Sequence, residues 1–102
     1  MSKPVYVLVL YKDPTEAMHQ LRQQSQAQEI YQKAFASRDQ AGGKTIITCD
    51  TRWSSQQWGG FMVEEYPSVE ALQEHMKRLE AMNWWRYFEG TTFLGTAPEA
   101  SA

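Results

Sequence analysis

Hydrophobic and polar positions along this chain follow two rhythms. Val5-Tyr6-Val7-Leu8-Val9-Leu10-Tyr11 is an unbroken apolar and aromatic run closed by Lys12-Asp13-Pro14, which predicts a strand covered on both faces. From Thr15, an N-cap candidate with Glu16 in the first turn, a polar stretch reaches Gly42-Gly43 without an internal Gly or Pro. Met18, Leu21, Ala27, Ile30, Tyr31, Ala34 and Phe35 keep an approximate helical stripe, and glutamines fill the other side. One long helix with a glycine stop is expected. Lys44 to Trp53 predicts a second strand around Thr45-Ile46-Ile47-Thr48-Cys49, and Ser54-Ser55-Gln56-Gln57 a polar turn. Trp58 to Tyr66 then completes a hairpin. Pro67 ends that strand and Ser68 caps a second helix, whose Val69, Leu72, Met76 and Leu79 recur at helical spacing until Asn83. Thr91 to Thr96 predicts the last strand, so residues 1–97 form one domain and 98–102 a fraying tail.

The order β-α-β-β-α-β predicts a ferredoxin-like α+β fold: an antiparallel sheet with the first and third strands central and both helices on one face. Tyr6, Leu8 and Leu10 alternate with Val5, Val7 and Val9, and neither set is polar. The face away from the helices therefore also needs cover. A second copy is the simplest cover, giving a homodimer whose two sheets pack into a dimeric α+β barrel.

Composition narrows the functional classes. At 102 residues, with 42% hydrophobic content, the chain has room for one domain with a true core. A net charge of -2 with interleaved signs argues against nucleic acid and anionic membranes as partners. Gly59-Gly60-Phe61-Met62-Val63-Glu64 resembles the glycine-aromatic strand of RNA-recognition domains, but it lacks their leading cation and adds acid. Cys49 is the single cysteine, which excludes an intrachain disulfide or multi-cysteine zinc site and predicts a cytoplasmic location. The first apolar run is too short to cross a membrane and has no signal-peptide cleavage region. No phosphate loop, dinucleotide fingerprint or Gly-x-Ser-x-Gly elbow occurs.

The first strand, the Gly42-Gly43 break, the turn Glu65-Tyr66-Pro67-Ser68 and the ending Asn83-Trp84-Trp85-Arg86-Tyr87-Phe88-Glu89 together resemble an uncharacterised family of small bacterial dimeric α+β barrel proteins. The likeness spans nearly the whole chain. In that family the closing pattern reads Gly-Trp-aromatic-x-Tyr-Phe-Glu, and here Asn83 stands for the glycine. The resemblance implies the barrel fold and no particular activity. The wider superfamily includes cofactor-independent monooxygenases, isomerases, lactonising enzymes, haem-degrading proteins, aldoxime dehydratases and ligand binders, and fold alone does not choose among them. Where the family tends to carry an aromatic in the third strand, this chain has Glu64.

With Phe61 and Val63 assigned to the helix side, the pleat sends Met62, Glu64 and Tyr66 toward the barrel interior. Desolvation there would raise the Glu64 pKa and suit it to acid–base work; the alternative is a Glu64–Arg52 ion pair. His75 borders the apolar stripe of the second helix and is the other catalytic candidate, or else an interfacial ring bonded locally. Tyr66, Met62, Trp84 and Trp85 are expected to surround substrate. Trp84 and Trp85 diverge by about 100°, so one should enter the core and the other line a pocket or the partner. Arg86 would bind a carboxylate or enolate oxygen or cap the helix, and Arg52 is a further substrate contact. His19 is a weaker candidate, Cys49 a buried filler, and no close metal-ligand spacing occurs. The expectation is an enzyme acting without a cofactor on an apolar, aromatic or polyketide-like small molecule, by oxygenation, isomerisation, cyclisation or decarboxylation. A non-catalytic ligand-binding protein is the alternative.

Overall fold

A computed structural model describes residues 3–54 and 57–97. Strand β1 (Val5–Tyr11) leads to helices α1 (Glu16–Gln23) and α2 (Ala27–Gln40), then strands β2 (Lys44–Asp50) and β3 (Gly60–Tyr66). Helix α3 (Val69–Ala81), a short 3-10 turn at Trp84–Arg86 and strand β4 (Gly90–Gly95) complete the chain. The fold is α+β, with one antiparallel sheet ordered β2-β3-β1-β4 and three helices, compatible with a ferredoxin-like arrangement. Strands β1 and β3 are central, and β1 is the most continuously apolar segment of the sheet.

The long helix expected from Thr15 to Gly42 is two helices. Ser25 adopts φ 60 and breaks the chain between α1 and α2. The apolar stripe gives the reason: between Leu21 and Ala27 every residue is polar, so no buried contact holds that turn helical. Thr15 caps α1 through its hydroxyl, which accepts from the Met18 N–H, and Ser68 caps α3 by accepting from the Ala71 N–H. The glycine stop stands where expected, since Gly42 takes φ 77 just beyond α2. Asn83 ends α3 in the same left-handed region, at φ 58. That conformation accounts for an Asn at the position where the resembled pattern carries glycine.

The pleat runs opposite to the expected assignment. Val5 pairs with Tyr66, Val7 with Glu64 and Val9 with Met62, and Val5, Val7 and Tyr66 share one core cluster with Leu72 of α3. Met62, Glu64 and Tyr66 therefore face the helices. Phe61 and Val63, together with Tyr6, Leu8 and Leu10, lie on the uncovered face. On β2 a register shift between Thr45 and Ile47 moves Cys49 to that same open face, opposite Phe61, where it is half-buried instead of a core filler. The proposed tail 98–102, and Ser55 and Gln56 of the expected turn, lie outside the described residues.

Candidate functional site

A cavity of about 260 Å³ lies between the sheet and the helices. Its floor comes from Val9, Thr48, Met62 and Glu64, and its roof from Phe35 and Arg38 of α2 with His75, Met76 and Leu79 of α3. Tyr31, Trp84, Trp85 and Phe88 close one end. These rings pack on each other. Trp84 stacks on Phe88 with centroids 4.7 Å apart, and Tyr31 meets both edge-on. The two tryptophans thus share one wall. Trp84 is half-buried under Tyr31, while Trp85 is 47% exposed at the rim.

Two buried ionisable groups stand in this otherwise largely apolar space. Glu64 is 7% exposed, and its Oε1 accepts a hydrogen bond of 3.0 Å from the Tyr66 hydroxyl. Desolvation pushes the Glu64 carboxyl above its ordinary pKa, opposed by the Tyr66 hydrogen bond and by the Arg38 cation. Burial raises the Tyr66 phenol strongly, and the neighbouring Glu64 charge adds to it, so Tyr66 serves Glu64 only as a donor. The Tyr66 ring has no exposed surface and stacks on His75 at 5.8 Å. Gly43 permits this, because a Cβ there would lie 2.5 Å from the Tyr66 ring and 2.8 Å from the Arg38 stem.

His75 is 5% exposed. Burial, then the Arg78 and Arg38 cations, hold its imidazole down to about 4. The ring is neutral at pH 7. Its Nδ1 lies 2.8 Å from the hydroxyl of buried Ser37, which accepts from Arg78 Nε at 2.7 Å, while the Ser37 carbonyl accepts from a second Arg78 nitrogen at 3.0 Å. A serine accepting from a cation has its own proton free to donate, and the neutral ring offers Nδ1 as acceptor. On this assignment the ring proton sits on Nε2.

The remaining sequence candidates are elsewhere. Arg52 is exposed, far from any pairing with Glu64: it grips Asp50 at 2.7 Å, holding that carboxyl down at about 2. It borders a second, open groove of about 650 Å³ shared with Lys12, Asp13, Glu16 and Glu89. The cation near Glu64 is Arg38, which donates 2.7 Å to Thr45 and lies over the Phe35 ring. Arg86 is exposed and contributes its backbone, with its carbonyl accepting from the Thr15 hydroxyl at 2.8 Å. His19 is exposed on α1. Among the described residues no three His, Cys, Asp or Glu side chains gather as metal ligands would, and no helix is long and apolar enough to cross a membrane.

Sequence reasoning missed Arg38, Ser37 and Arg78. Ser37 and Arg78 are separated by the whole β-hairpin, so only the packing of α2 on α3 joins them. A weak signal existed for Ser37, which follows Ala34 by one turn on the buried side of α2.

No family model matches the chain, and no curated protein matches it. Among solved structures it is similar to the RPA0582 protein of Rhodopseudomonas palustris, a structural genomics target of unknown function. The TM-score is 0.66 at 15% identity, covering 97% of this chain and 85% of that one. The methylated RPA0582 protein superposes alike, with a TM-score of 0.67 at 14% identity over 100% of this chain and 86% of that one. These likenesses extend to the fold alone.

Proposed function

We propose that the cavity binds an apolar, ring-bearing small molecule and acts on it by moving a proton, without a cofactor. One observation carries this reading: a single buried carboxylate and a neutral histidine, both held by specific hydrogen bonds, line a space otherwise walled mainly by Met, Leu and aromatic side chains. A dry wall lifts the basicity of Glu64, as acid–base chemistry near neutral pH requires. At about 260 Å³ the cavity lies just below the roughly 300–1,000 Å³ common for ligand pockets, which limits it to a small molecule of one or two rings. Small fused-ring aromatic or polyketide-like compounds are the substrate class we propose, and isomerisation, cyclisation, decarboxylation or cofactor-independent oxygenation are the reactions open to it.

We also propose that the working unit is a ferredoxin-like homodimer forming an α+β barrel. Tyr6, Leu8, Leu10, Phe61, Val63 and Phe93 share the face that no helix covers, and Phe93 is 55% exposed. Such a sheet face packs well on its own copy at about 10 Å separation. Light scattering at micromolar concentration should give twice the chain mass, and a monomer would overturn the dimer.

The cavity reading is tested with 2-naphthol, followed by Met methyl resonances. Met62 and Met76 line the cavity, whereas Met18 is buried outside its walls. Saturable shifts at Met62 and Met76, abolished in Met62→Trp, are expected. Absence of saturable binding, or binding unaffected by that substitution, would remove the cavity as a ligand site. Binding of natural ligand with no turnover would leave a storage or sensing role.

A further inference from the structure

We infer that the site takes a carbonyl compound carrying an acidic C–H bond, with Glu64 Oε2 as the base that removes the proton and His75 Nε2–H as the donor that holds the carbonyl oxygen. The inference rests on the cavity being a small-molecule site and goes further by dividing the labour between the two groups.

The division follows from which atoms are already engaged. Glu64 Oε1 accepts from Tyr66, and His75 Nδ1 is engaged by Ser37. Neither Glu64 Oε2 nor His75 Nε2 has a hydrogen bond to another described residue. Yet no side-chain nitrogen or oxygen among the described residues is sealed away without a partner. Both atoms therefore have open space beside them, and the open space they border is the cavity. One is an acceptor and the other a donor, and the Tyr66 ring links them by bonding one residue and stacking on the other. A largely apolar cavity whose two buried polar side chains offer one vacant acceptor and one vacant donor asks for a ligand with a proton to lose and an oxygen to hold.

Arg78 and Ser37 prevent His75 from being that base. Accepting a proton would place a cation between Arg78 and Arg38 in a buried site, and Nδ1 is already occupied. A neutral imidazole held as a donor stabilises a developing oxyanion without being protonated itself, while a carboxylate does the proton transfer. The step balances without redox chemistry. Glu64 Oε2 forms a bond to the departing proton, and the C–H electron pair becomes the new C=C bond. The carbonyl π pair moves onto oxygen, which accepts from His75 Nε2–H. Return of the proton from Glu64, to the same carbon or to one conjugated with it, gives exchange or an isomer. Ser37 and Arg78 act through His75 and are positioning residues.

Two measurements test this. In protein labelled with ¹⁵N at its two histidines, the His75 ring should show the Nε2–H tautomer at pH 7, and Ser37→Ala should abolish that preference. An Nδ1–H or doubly protonated ring in the wild type would overturn the inference without any variant. The second measurement uses 2-tetralone in D₂O, with deuterium entering the benzylic carbon beside the carbonyl and followed by NMR. Glu64→Gln should slow the protein-catalysed exchange by about 10²- to 10⁴-fold, and His75→Phe by about 10²- to 10³-fold. Ser37→Ala should cost about tenfold while 2-naphthol still binds. If 2-naphthol binds the cavity and 2-tetralone does not exchange, the carbonyl assignment fails and the binding site stands. If 2-naphthol does not bind, the cavity reading fails and this inference with it.

Discussion

Acidification should destabilise the protein through His75, by an amount that can be isolated. The imidazole is held from an ordinary 6.5 down to about 4 in the folded chain, first by burial and then by Arg78 of α3 and Arg38 of α2; Tyr66 of β3 stacks on it and Glu64 lines the same cavity. Because the folded value is depressed, the unfolded state takes up the proton first. The contribution is fully present above pH 6.5 and is lost as pH falls toward 4. At about 1.36 kcal/mol per pH unit, this window spans on the order of 3 kcal/mol. Ring contact with the cavity brings the realistic figure to about 2–3 kcal/mol, a large share of the roughly 5–15 kcal/mol that holds a domain together. Glu64 works in the opposite sense. Its raised folded pKa means that its burial costs stability once it ionises, and falling pH relieves that cost. The two effects overlap, so a single melting curve cannot separate them. Urea unfolding of wild type and His75→Gln at pH 7.0 and 4.5 does separate them. On going to pH 4.5, which stops short of the folded value, the variant should lose about 1.5–2 kcal/mol less than the wild type. Parallel losses would refute the account of His75 as a buried neutral ring.

Three further outcomes follow from the packing. Gly43→Ala should displace the Tyr66 ring, because the added Cβ would stand 2.5 Å from it; we expect a loss of about 1–3 kcal/mol in thermal unfolding and weaker 2-naphthol binding, and an unaltered Tm would show that the ring yields freely. Ser25→Gly should stabilise the chain by about 0.5–1 kcal/mol, since φ 60 strains serine and not glycine, and destabilisation in the same assay would contradict the strain. Phe93→Lys on the uncovered face should leave the monomer fold within about 0.5 kcal/mol yet halve the mass seen by light scattering, and an unchanged mass would locate the interface elsewhere.

Much of the architecture was legible because strands and caps are local. The β1 run, the Thr15 and Ser68 caps and the Gly42 stop are each decided by neighbouring residues, and the observed elements begin and end close to them. The break at Ser25 was also written locally, as a polar gap in the stripe between Leu21 and Ala27, but the lack of Gly or Pro concealed it. The site was legible in part. Glu64, His75, Met62, Trp84 and Trp85 do line one cavity, although they were expected to do so on the opposite side of the sheet. Alternation gives two sets of residues without saying which set faces the helices, and on β1 both sets are apolar. Arg52 and Arg86 could not be separated from Arg38 by sequence, because a cation's usefulness depends on where its flexible stem ends.

By itself, then, the amino-acid order determined the succession of elements, the central place of β1 and β3, and the residue types available for acid–base chemistry. These are short-range properties, carried by periodicity, capping and turn-forming residues. Only the tertiary structure decided that β3 turns Glu64 inward beneath α3. It also brought Ser37 of α2 within 2.8 Å of His75, put Arg78 behind that histidine, and made Arg38, not Arg52, the cation near Glu64. Those relations join residues distant in the chain through the packing of helices on a sheet, and the same packing sets how far each buried charge is removed from water.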